Sequence, residues 1–145
     1  MSRGFSAIAI DSPKSEANVG GALRAAHCYG AALIVLRAPR FHRLPTNTMA
    51  TERHVPVIVR DDVFDALPYD CVPVAIEFMD DARSLVDYVH PERAFYIFGP
   101  EDGSLGQRIL GRCRDVVMVP TVFCMNLAST VNVVLYDRMV KRSKP

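Results

Sequence analysis

Apolar and polar positions along this chain fall into two alternating patterns. Short apolar runs at residues 5–10, 33–36, 55–59, 72–76, 94–98 and 116–119 read as strands, bounded by turn residues such as Gly99-Pro100 and Pro120. Pro56 weakens the third of these, because proline cannot donate to a ladder. Between the runs the period lengthens. Val19, Ala22, Leu23, Ala26 and Tyr29 follow i, i+3, i+4, i+7, which predicts a helix over 18–29 closed by Gly30. Further helices are predicted over 61–67, 105–113 and 126–141, with 39–52 a loop that has room for one short helix. Asp61-Asp62 and Asp80-Asp81 read as helix-start residues.

Strands this apolar are buried on both faces, and their alternation with helices implies a mostly parallel sheet. The expected fold is a single α/β domain over 1–145, in three layers, with helices flanking the sheet. A length of 145 residues is enough for one full core.

Composition narrows the function classes. No apolar run is long enough to cross a bilayer, and residues 1–5 lack the layout of a signal peptide, so a soluble cytoplasmic protein is the expectation. The four cysteines, Cys28, Cys71, Cys113 and Cys124, make no CxxC pair and read as reduced, mostly buried thiols. The four histidines form no ligand pattern, so no metal is expected. Net charge is +1, yet Arg37, Arg40, Arg43, Arg53 and Arg60, with His42 and His54, face only Glu52 in their stretch. The tail carries Arg138, Lys141, Arg142 and Lys144. Both segments permit a phosphate-rich partner; the tail equally fits cations at a helix carboxyl end.

Three segments at strand ends carry unusual chemistry, and in open α/β sheets ligands sit beyond those ends. The first, "ANVGGALRAA", places two glycines three and four residues before Arg24. Side chains on a helix lean toward its N-terminus, so the glycines are expected to clear the surface beneath the guanidinium for a phosphate or ribose. Close packing against a neighbouring helix is the alternative. The second, "IFGPEDGSLG", sets Glu101 and Asp102 beside a bare glycine loop. The third, "VPTVFCMNLASTVNVVLYD", leads from a proline-stopped strand into a helix that Asn126 suits as N-cap. Its Ser129, Asn132 and Tyr136 form a polar stripe expected to meet another segment or subunit.

In this order and spacing the three segments resemble the SpoU branch of the SPOUT superfamily of RNA methyltransferases. Asn18, Gly20 and Arg24 match its N-x-G-x-x-x-R motif; Phe98, Gly99 and Glu101 match its F-G-x-E-x-x-G motif, with Gly103 one residue early or late by alignment. Val119, Pro120, Met125, Asn126 and Leu127 match the third. Two departures stand out: Cys124 occupies the usual serine position, and only Thr121, Val122 and Phe123 separate it from Pro120.

The resemblance implies a deep C-terminal trefoil knot, S-adenosylmethionine as cofactor, a homodimer, and 2′-O-methylation of ribose in tRNA or rRNA. By the motifs, Ile76, Gly99, Val119, Cys124 and Leu127 hold the cofactor through backbone groups, and Asn126 braces the loop. Arg24 is the catalytic candidate, gripping phosphate and stabilising charge on the 2′-oxygen, since a guanidinium stays protonated. Asn18 is expected to orient Arg24, and Glu101 to hold its charge. Tyr136 is a candidate for the interface or the RNA side. The rival readings are a non-catalytic RNA- or nucleotide-binding protein of the same fold, an ordinary nucleotide-binding enzyme, and a flavodoxin-like signalling domain. The second lacks a phosphate loop after the first strand, and the third lacks an acidic cluster.

Overall fold

The structure, a computed structural model, describes residues 4–41 and 54–144. Among these residues seven parallel strands form one sheet: β1 (Phe5–Asp11), β2 (Ile34–Arg37), β3 (Val57–Arg60), β4 (Val72–Ile76), β5 (Arg83–Ser84), β6 (Arg93–Phe98) and β7 (Asp115–Met118). Their spatial order is β3-β2-β1-β6-β4-β7-β5. The helices are α1 (Glu16–Cys28), α2 (Gly106–Leu110) and α3 (Leu127–Ser143).

Period-two alternation sorts the strand side chains into two cores. Ile8, Ile10, Leu36, Tyr96 and Phe98 face α1 and α3, meeting Val19, Leu23, Val131 and Leu135. Ala7, Ala9, Val35, Phe95 and Ile97 face the other layer, meeting Val63, Leu105 and Ile109. The expected three layers are therefore present. Each fully buried large side chain stabilises by about 1.5–3 kcal/mol relative to exposure. Pro73 sits inside a central strand without breaking a ladder. Its carbonyl accepts from Arg114 N at 3.0 Å, just before the first β4–β7 pair, Val74↔Asp115, so the missing N–H lies where pairing has not begun.

Several elements differ from expectation. α1 starts at Glu16, two residues before the expected 18, and Ser15 caps it: its side chain accepts from the backbone N–H of Asn18. The predicted 61–67 helix is a single 3-10 turn, Val63–Ala66, capped by Asp62. Asp80-Asp81 precede β5 and no helix, and α2 has five residues where 105–113 was expected. Gly21 is committed to packing: a Cβ there would stand 2.7 Å from Ala128 Cβ of α3. The close-packing alternative thus holds at this glycine. β7 lies between β4 and β5, which follow one another directly in the chain.

Candidate active site

β4, β6 and β7 end side by side, and the turns that follow them meet the start of α3. They enclose a cavity of about 340 Å³, within the range of small-molecule sites. Ile76, Gly99, Val119, Cys124 and Leu127 all line it, as does Glu101. Gly99 is closely surrounded: a Cβ there would stand 3.3 Å from Leu105 Cγ and 3.4 Å from Glu77 Oε2. Among the described residues no helix is long and apolar enough to cross a membrane.

A hydrogen-bonded junction ties the three chemistry-bearing segments together beside the cavity. Glu101 Oε2 accepts from Lys14 N at 2.9 Å, and Oε1 from Ser15 N and Asn18 Nδ2, each at 3.2 Å. Asn126 Nδ2 donates to Asn18 Oδ1 at 2.7 Å, while Asn126 Oδ1 accepts from Ser129 N and caps α3 as expected. Asn18 is thus the bridge between the β6 loop and α3. Partial burial pushes the Glu101 carboxyl up, but the amides of Lys14, Glu101 itself and Ser15 and the Asn18 side chain outweigh it and hold it below the ordinary value. A second clamp sits beside it, where Arg40 grips Asp102 with two hydrogen bonds, 2.9 and 2.6 Å.

The partners expected of Arg24 are therefore engaged elsewhere. Asn18 and Glu101 bond to each other and to Lys14, Ser15 and Asn126, not to Arg24. Arg24 is exposed on α1, is not part of the cavity wall, and makes no hydrogen bond or ion pair among the described residues. The outer side of α3 exposes Ser129, Asn132, Val133, Tyr136 and Met139. The polar stripe expected to be covered is not covered by the described part of this chain.

The basic stretch also changes character. Arg37 pairs with Asp11 at 2.8 Å and Arg40 with Asp102, so both hold the fold; Arg60 and His54 are exposed. His42, Arg43, Glu52 and Arg53 lie outside the described residues. In the tail, Arg138 is buried and Lys141 pairs with Asp137, which favours the helix-end reading. Of the cysteines, Cys28 and Cys124 are exposed, Cys71 is buried and Cys113 is intermediate. Glu77 was not anticipated. It lines the cavity half-buried, and the signal was an acid directly after an apolar strand.

Comparison with known proteins agrees with this fold. The family described as SpoU rRNA Methylase matches residues 6–136. Among solved structures, the chain is similar to the SpoU methyltransferase AviRb from Streptomyces viridochromogenes, with 18% identity over 98% of this chain and 63% of that one, TM-score 0.83. A second AviRb structure, with 19% identity over 98% of this chain and 62% of that one, TM-score 0.83, is in complex with AdoMet. A protein solved in a study of 2-OH methylation of C/U34 on tRNA is 22% identical over 99% of this chain and 94% of that one, TM-score 0.84. No curated protein matches the chain. The chain spans less than two thirds of the length of AviRb and of a similar rRNA methyltransferase from Sinorhizobium meliloti.

Proposed function

The chain belongs to the SpoU rRNA methylase family, and from that premise we propose that it transfers a methyl group from S-adenosylmethionine to a ribose 2′-hydroxyl of tRNA or rRNA. The observation that carries this reading is the cavity at the ends of β4, β6 and β7, bordered by a junction that joins all three motif segments through Asn18, Glu101 and Asn126.

The cavity suits the cofactor. Its wall is mainly apolar, with Ile76, Phe78, Phe98, Val119 and Leu127, and its bare Gly99 turn admits an adenine edge or a sugar close to the backbone. Ile76, Gly99, Val119, Cys124 and Leu127 would hold the molecule, with Asn126 bracing the loop. Bound S-adenosylmethionine supplies a methyl group already activated on a sulfonium.

What the protein adds is positioning and charge. Arg24 grips a backbone phosphate and stabilises the negative charge that develops on the 2′-oxygen. It is suited to this because it is exposed and carries no competing partner among the described residues. Asn18 and Glu101 act at one remove, locking the entry of α1 to the cofactor loops. Because Arg24 does not line its own chain's cavity, we place it at the cavity of a second copy. The exposed α3 residues Val133, Tyr136 and Met139 supply the apolar surface for that homodimer. The deep trefoil knot belongs to the same reading, supported by the position of β7 between β4 and β5. The cytoplasm is the expected compartment.

The test is incubation with methyl-labelled S-adenosylmethionine and total tRNA or rRNA, beside calorimetric titration of the cofactor. Binding with transfer supports the reading. Cofactor binding with no transfer to any RNA identifies a non-catalytic binding protein instead.

A further inference from the structure

Glu77 follows β4 directly, and its amide donates to the Val117 carbonyl at 3.0 Å, so its backbone continues the sheet into the cavity wall. Ile76 and Phe78 line the cavity on either side of it. The carboxylate faces Gly99, 3.4 Å from where a Cβ would stand. Its one hydrogen bond among the described residues comes from Leu105 N to Oε2 at 3.4 Å, beyond the usual range. No cation pairs with it among those residues. An ionised carboxylate offers about four acceptor positions, so most of this group's capacity is unmet.

A half-buried carboxylate in that condition is costly unless something donates to it. Burial accordingly raises its pKa above the ordinary value, against a weak opposing pull from the Leu105 amide. The contrast with Glu101 is direct. Both carboxylates belong to the same cavity wall, but Glu101 already accepts from three donors. A donor-bearing ligand in this cavity therefore meets Glu77 with acceptors to fill.

We propose that Glu77 accepts the hydrogen bonds of the two vicinal ribose hydroxyls of the adenosyl cofactor, and so makes the site selective for an intact ribose. The inference rests on the cofactor assigned above. A diol fits better than the cofactor's ammonium for two reasons. Two carboxylate oxygens side by side match two neighbouring hydroxyl donors. In addition, Glu77 is set among Ile76, Phe78 and Phe98, the apolar surface that suits a purine, and the ribose is bonded directly to the purine whereas the ammonium is the far end of the molecule. Gly99, with no side chain, lets the sugar approach this strand end.

The experiment is calorimetric titration of wild type, Glu77→Gln and Glu77→Ala with two nucleosides, S-adenosylmethionine and S-adenosylhomocysteine, and with the 2′-deoxy and 3′-deoxy analogues of the second, the parent. Thermal melts confirm that each variant is folded. Wild type is expected to bind the deoxy analogues on the order of 10- to 100-fold more weakly than the parent, the range for hydrogen bonds to a charged group. Glu77→Ala should weaken the parent by a similar factor and leave no further penalty for the missing hydroxyls, with Glu77→Gln between. Equal deoxy penalties in wild type and Glu77→Ala would overturn the assignment. So would a loss seen only for cationic S-adenosylmethionine and not for neutral S-adenosylhomocysteine, which would make Glu77 a reader of charge. If wild type binds neither nucleoside, the cofactor reading fails with it. If wild type binds both and Glu77→Ala binds both equally well, only the role of Glu77 fails.

Discussion

The two ends of the sheet both carry polar clusters, and they are finished to different degrees. At the amino ends, His90 has no exposed side-chain surface and bonds Tyr96 Oη through Nδ1 and Asp137 through Nε2, each at 2.7 Å. Arg138 donates to the carbonyls of Pro91 and Glu92 at 2.6 and 2.8 Å and to Tyr96 Oη at 3.2 Å, and Lys141 holds Asp137 at 2.8 Å. The groups of that cluster are answered within the chain. At the carboxyl ends, Glu77 has one long bond among the described residues, and on α1, the helix that starts there, Arg24 has no partner among them. Buried polar groups need partners, so the closed cluster secures α3 to the sheet, while at the open end most of Glu77's acceptor capacity is unmet among the described residues.

The largest effect should come from the open end. Arg24→Ala is expected to lower methyl transfer on the order of 10²- to 10³-fold, the range for losing one donor to a developing oxyanion, while cofactor affinity stays within about twofold. Transfer kinetics and calorimetry check the two halves. The closed end should behave in the opposite way. Tyr96→Phe leaves His90 and Arg138 each short of a partner in a site where burial pushes the tyrosine up to about 12. It should cost about 1–3 kcal/mol of stability by denaturant unfolding, with transfer per folded molecule unchanged. A variant that kept its stability and lost activity would erase the distinction between the ends.

The smallest effect concerns pH. Burial lowers the pKa of His90 despite the opposing pull of Asp137. The unfolded chain therefore binds a proton that the folded chain resists, and stability rises with pH through that window. The contribution is complete above the ordinary histidine value of about 6.5. It is lost as pH falls from there toward the depressed folded value, at no more than about 1.4 kcal/mol per pH unit. Melting curves from pH 7.5 to 5 should fall more steeply for wild type than for His90→Gln. Parallel curves would mean that the imidazole does not resist protonation.

What could be read in advance followed from local chemistry. The buried strands announce themselves by apolar runs, and Asn126 by its place at the start of α3. β5 does not: Arg83–Ser84 is polar and is a strand only because Arg83 and Ser84 pair with Val117 and Met118. The same reason hid the ion pairs. Arg37 and Arg40 look like a basic surface until the fold brings up Asp11 and Asp102, 26 and 62 residues away. Gly21 looked like clearance for a ligand because Ala128, which it packs against, is on another helix. Asn18, Glu101 and Asn126, singled out by their motifs, meet in space, but their bonds run among themselves and not to Arg24.

The most direct test is the alkali stability of the methylated product. Alkaline cleavage of RNA requires attack by a free 2′-hydroxyl, so a 2′-O-methyl group protects its own phosphodiester. RNA labelled by this protein from methyl-labelled S-adenosylmethionine should yield its label in an alkali-resistant dinucleotide, and that label should be lost with Arg24→Ala. Label released in mononucleotides would place the methyl on a base and contradict ribose transfer.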